Sequence, residues 1–207
     1  RMSETRPVIA SCRVRPVLAP LAIPHKTASG TLEAAPLVLI DITANDGVTG
    51  SAYIFAYTPA AREPLALLTR NIIDGLSGQS GTPEEVNALL DARFRLIGNQ
   101  GLVAMAIAGI DMALWDAEAK RAGKPLSVLL GGGNTRVRVY DSLGQMPPDE
   151  TAREVESSLE RGFRAFNVKD GELDMGIDAA VIRAIRKVAG PNVCVAADFY
   201  QRAAHLF

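Results

Sequence analysis

No excess of charge marks this sequence. Lys and Arg number 22 against 23 for Asp and Glu, a formal net charge of -1, so the electrostatic footprint expected for nucleic acid or an anionic membrane surface is missing. Cysteine is equally scarce. Cys12 and Cys194 have no short spacing, and neither has a histidine at zinc-ligand intervals; this excludes a structural zinc and a disulfide framework, and points to a reducing compartment. Both cysteines read as packing residues. No apolar run approaches the ~20 residues that span a bilayer, and the first residues, RMSETRPVIAS, lack a hydrophobic signal core. These absences predict a cytoplasmic protein with a small-molecule partner, with no nucleic acid and no membrane among its partners.

What is present is a core. Nearly half of the residues, 48%, are hydrophobic, enough for one large or two small domains in a chain of this length. Near the start, PVIASCRVRPV, LVLIDITA and GSAYIFAY read as strands. The second and third flank Asn45-Asp46-Gly47, whose residues tolerate positive φ, so they form a hairpin in an antiparallel meander. Between the first two lies LAIPHKTASGTLEAAP, which reads as a long polar loop of the kind that serves as a lid.

Helical signals follow. Thr82-Pro83-Glu84-Glu85 supplies an N-cap threonine, a first-turn proline and a glutamate at the third helical position, which is a capping box. From Leu102 to Ala122 apolar residues are dense, with Ile107, Ile110, Leu114 and Ala117 at helical spacing, until Gly123 and Pro125 end the run. Strands followed by helices predict an α+β domain over residues 1–132. GGGNT at Gly131 to Thr135 lacks the following Lys-Ser or Lys-Thr of a phosphate loop and reads as the connection to a second domain.

Over residues 133–207 the pattern becomes repeated strand and helix. VRVYDS, FRAFNVK and VCVAAD alternate with helical stretches at Asp149 to Arg161 and Gly176 to Val188. Such strands should pair in parallel with right-handed crossovers. About three units are present where a closed barrel uses eight, so an incomplete barrel is expected within these residues. Parallel α/β architectures gather reacting groups at the C-terminal ends of strands. Ser142 follows the first strand, Lys169 ends the second and Asp198 ends the third, which puts a hydroxyl, an amine and a carboxylate at equivalent places. An acidic residue can ligate Mg2+, and a lysine with a lowered pKa can act as a base. Together they suit removal of a proton next to a carboxylate.

The helix and its exit, AIAGIDMALWDAEAKRAGKPLSVLLGG from Ala106 to Gly132, closely resembles the signature of the mandelate racemase and muconate-lactonizing group of the enolase superfamily. TASGTLEAAPLVLIDI, YIFAYTP, RVYDS, GFRAF and IRAIRKVAG extend the resemblance from about residue 7 to residue 201. It implies an α+β capping domain followed by the start of a modified TIM (β/α) barrel, and a Mg2+-dependent enzyme acting on a small-molecule carboxylate, a homo-oligomer when full length. It implies Lys169 as the base that takes the α-proton, matching the second lysine of the family's Lys-x-Lys motif, and Asp198 as a metal ligand. Ser142 would hydrogen-bond the substrate carboxylate, Phe55 and Tyr57 would close over the substrate, and Pro24 to Leu32 would be the lid. Asn167 stands where the family has its first lysine. The implied reaction is racemisation of a 2-hydroxy acid; the alternatives are acid-sugar dehydration, or a truncated, catalytically inactive remnant serving as an interaction protein.

Overall fold

The computed structural model describes residues 6–27, 30–133, 135–169 and 175–198. It divides into two compact units, Arg1–Ala22 with Glu33–Thr135, and Ile23–Leu32 with Arg136–Phe207.

β1 (Ile9–Thr27) and β2 (Gly30–Ala44), which apart from residues 23–32 belong to the first unit, form one sheet with β3 (Thr49–Phe55) in the order β1-β2-β3. The long polar loop expected between the first two strands, with its lid at Pro24 to Leu32, is largely strand: β1 runs on to Thr27 and β2 starts at Gly30. Only residues 28 and 29 separate the two, a connection so short that neighbouring strands must run antiparallel. Pro16, Pro20 and Pro24 lie in β1, and β1 is an edge strand. A residue without an N–H is tolerated in an edge strand, where one side carries no partner strand.

The β2–β3 hairpin forms as expected, in register from Thr43↔Thr49 to Leu37↔Phe55. Its turn places Gly47 at φ 82°, with Gly47 N donating to Ala44 O at 3.0 Å and Asp46 Oδ1 accepting from Val48 N at 3.1 Å. β3 ends at Phe55, two residues short of the expected end, and Tyr57 takes φ 58°. The chain there turns into α1 (Pro59–Asp74), a helix that the sequence did not signal because Pro64 lies inside it. Then come α2 (Pro83–Arg93), α3 (Leu102–Arg121) and the single turn α4 (Leu126–Leu129). The capping box at α2 is complete: Glu85 N donates to Thr82 Oγ1 at 3.3 Å and Thr82 N to Glu85 Oε2 at 3.0 Å.

Period-two alternation buries Val38, Ile40 and Ile42 of β2 with Ile54 of β3, each worth about 1.5–3 kcal/mol. This face meets α3 at glycines. A Cβ added at Gly50 would lie 1.8 Å from Ala113 O, and one at Gly109 would lie 2.6 Å from Ile54 Cδ1 and 2.7 Å from Ile40 Cδ1. The close approach lets the polar end of α3 clasp β3 and its turn. Ser51 N donates to Asp116 Oδ2 at 2.7 Å, Lys120 Nζ to Thr49 O at 2.9 Å and Arg121 Nε to Asp46 Oδ2 at 2.6 Å.

The second unit is βαβαβ: β4 (Asp141–Leu143), α5 (Pro148–Glu160), β5 (Ala165–Lys169), α6 (Met175–Ala189) and β6 (Cys194–Asp198). The three strands pair in parallel in the order β4-β5-β6, as the repeat predicted. The first strand is shorter than VRVYDS suggested. Residues 136–140 are outside any strand and Val137, Val139 and Tyr140 are exposed, so their apolar alternation has no packed face to satisfy. One face of the sheet carries Leu143, Phe166 and Val168, buried with Val155 of α5 and with Val181 and Ile185 of α6. On that side Asp141 accepts from Ser158 and, at 2.8 Å, from Arg161 Nη2, tying β4 to α5.

Candidate active site at the ends of the parallel strands

Because the helices cover the face that holds Phe166 and Val168, the alternate residues of β5, Ala165, Asn167 and Lys169, lie on the other face and are half-buried. The ladder sets Lys169 directly opposite Asp198, the last residue of β6. Lys169 Nζ donates to Asp198 Oδ2 in a salt bridge between side chains 24% and 42% exposed. These two predicted residues are therefore brought together at the C-terminal ends of adjoining strands, with the ammonium more covered than the carboxylate.

Ser142 is placed differently from the expectation. It lies within β4, not after it, and pairs with Asn167. That is one layer below the Lys169–Asp198 pair on the same face, since residues two apart on a strand share a side. The sequence pattern missed this because it started the strand too early. Phe55 and Tyr57 belong to the first unit. Their rings meet edge to face with centroids 4.9 Å apart, and Tyr57 is 71% exposed. In the sequence Asn167 stands out only as a departure from a motif; its position beside Ser142 needs the strand register, which no local signal gives. Residues 28 and 29 of the expected lid lie outside the described residues.

The metal that the sequence implies is Mg2+, which takes near-octahedral oxygen coordination and usually binds through more than one protein carboxylate or through substrate oxygens as well. Among the described residues no three His, Cys, Asp or Glu side chains lie close enough together to hold an ion. Asp198 brings one carboxylate, and Lys169 is seated against it. The described residues alone do not fit the ion.

The family model for mandelate racemase / muconate lactonizing enzyme, N-terminal domain, matches residues 9–131. The chain belongs to this family. It has the family's N-terminal capping domain, followed by the parallel strands that begin an incomplete barrel. A Bradyrhizobium enolase crystallised with magnesium and mandelic acid is 40% identical with a TM-score of 0.88, over 96% of this chain and 55% of that one. L-talarate/galactarate dehydratase from Salmonella typhimurium is 27% identical over 172 residues, 80% of this chain and 42% of its own length. Muconate cycloisomerase 1 from Rhodococcus opacus is 32% identical over 191 residues, 85% of this chain and 49% of its own. The chain thus spans about half the length of the curated relatives it matches. Among the described residues no helix is long and apolar enough to cross a membrane.

Proposed function

We propose that this chain forms part of an enzyme that removes the proton α to the carboxylate of a 2-hydroxy acid, with Lys169 as the base. The observation that carries the reading is the registered pair at the strand ends, Lys169 of β5 opposite Asp198 of β6. A base needs a fixed position, which the β5–β6 ladder gives Lys169; the salt bridge with Asp198 holds the ammonium form, and the base is the amine freed from it. That neutral amine takes the proton, and the ammonium so formed can return it to the same face of the carbon. Return to the opposite face, which is racemisation, needs a second proton carrier there.

Ser142, exposed one layer below, supplies a hydroxyl donor for the substrate carboxylate. Asp198 would offer magnesium one oxygen ligand, and the described residues do not supply the rest of the shell. The mandelic acid and magnesium bound by the Bradyrhizobium protein support this choice of substrate class and ion. A second reading, dehydration of an acid sugar, is favoured by the dehydratases among the relatives. It begins with the same proton removal and differs in the loss of a β-hydroxyl.

Deuterium exchange at the α-carbon of mandelate and of galactarate, followed by NMR in D2O, tests the shared step. Exchange that falls by about 10²–10⁴-fold in Lys169→Met is the expected result. Absence of exchange in the unsubstituted protein, or full exchange in Lys169→Met, refutes it.

A further inference from the structure

Two neutral polar side chains occupy the layer beneath Lys169. Ser142 and Asn167 are direct partners across the β4–β5 ladder and share the face that carries Lys169 and Asp198. On the far side of Asn167 the ladder continues to Ala196, whose methyl offers no hydrogen bond. Ser142 is exposed and Asn167 half-buried. Among the described residues neither side chain makes a hydrogen bond to another. A half-buried amide left in this way is costly unless water or a ligand satisfies it.

The chemistry of an amide says what would satisfy it best. It carries both an acceptor and donors. A carboxylate only accepts and would use half of it; a hydroxyl both donates and accepts and uses all of it. Neighbouring strands lie about 4.8 Å apart, so side chains at paired positions can reach adjacent oxygens of one small molecule. Resting on the carbon-acid reading above, we propose that Asn167 is a specificity-determining residue that binds the hydroxyl next to the substrate carboxylate, while Ser142 donates to the carboxylate itself. With both oxygens held in this layer, the carbon bearing the proton faces the layer above, where Lys169 sits. A lysine at position 167 would offer donors only and would lose the acceptor that the hydroxyl proton needs.

Mandelate and phenylacetate differ only by that hydroxyl and serve as the probes. Their dissociation constants are measured by NMR titration on the full chain and on Asn167→Ala, Asn167→Val and Ser142→Ala. The unsubstituted protein should prefer mandelate. Both Asn167 variants should weaken mandelate binding by about 3- to 10-fold, the worth of one net hydrogen bond, and leave phenylacetate unchanged. Ser142→Ala should weaken both ligands alike. Lack of a preference for mandelate, or Asn167 variants that weaken both ligands equally or neither, overturns the proposal. Two variants of different size guard against a folding defect in one. The readout is binding, so a Lys169→Met protein that still exchanges the α-proton would sink the base assignment and leave the hydroxyl preference standing or falling on its own numbers.

Discussion

Gly50→Ala drives a methyl group into the backbone of α3. The added Cβ would lie 1.8 Å from Ala113 O, 2.8 Å from Ala117 N and 2.9 Å from Ala113 C. An ordinary carbon–oxygen contact is about 3.3 Å, so helix and strand must separate by roughly 1.5 Å, and no side-chain rotation relieves a clash with backbone. The same separation pulls apart Ser51 N···Asp116 Oδ2 and Lys120 Nζ···Thr49 O, now 2.7 and 2.9 Å. Overpacking costs about 1–3 kcal/mol, and two hydrogen bonds add about 1 kcal/mol each. The expected loss is therefore about 3–5 kcal/mol. Trp115 is the one tryptophan of the sequence and lies in α3, so its fluorescence during urea unfolding reports on the first unit. With a urea slope of about 1–3 kcal/mol/M, the midpoint should fall by roughly 2 M. Gly47→Ala is the control: φ is 82° and nothing lies within 4 Å of the added Cβ, so only backbone strain of about 1–2 kcal/mol applies. A midpoint shift for Gly50→Ala no larger than that of Gly47→Ala would refute the close-approach argument.

Three further outcomes follow from the geometry. Asp46 is held below the usual carboxylate range chiefly by the Arg121 hydrogen bond, and Glu85 chiefly by the Thr82 N–H and then Arg6. Burial pushes Asp116 up, yet bonds from Lys120 and Ser51 N–H outweigh it and the net shift is downward. Folded values below unfolded ones mean stability that is complete above about pH 4 to 4.5 and lost as pH falls through the folded values; the Trp115 urea midpoint should drop between pH 6 and pH 3, and a flat profile would contradict this. The Cys12 thiol is pushed up by burial and then by the Asp74 charge, while Cys194 is exposed, so a thiol reagent at pH 8 should label Cys194 first; equal rates would show that Cys12 is not shielded. Thr82→Ala removes the acceptor of the capping box and should cost about 1 kcal/mol, read from the same fluorescence transition, with no change expected if α2 is held by packing alone.

Local chemistry was the legible part of this fold. Asn45-Asp46-Gly47 fixed its hairpin and Thr82 to Glu85 its helix start, because each feature is satisfied within a few residues. The far reach of β1 and β2 was not legible, since whether Pro20 and Pro24 end a strand depends on which edge of the sheet is free. α1 was hidden by Pro64, whose missing donor the rest of a sixteen-residue helix tolerates. At the candidate site Lys169 and Asp198 could be read from their places at strand ends. The pairing of Ser142 with Asn167 could not, because register is decided between strands and β4 is only three residues long.

The alternation along β5 also separates what selection can change cheaply from what it cannot. Phe166 and Val168 face the helices and are almost completely buried, whereas Asn167 and Lys169 point the other way and take no part in that packing. A new side chain at an odd-numbered position alters what the sheet can bind without reopening its core; one at an even-numbered position puts the sheet itself at risk. A strand built like this can be retuned from one substrate to another by single substitutions, and a library randomised at residues 142, 167 and 196 should retain far more folded members than one randomised at 143, 166 and 168.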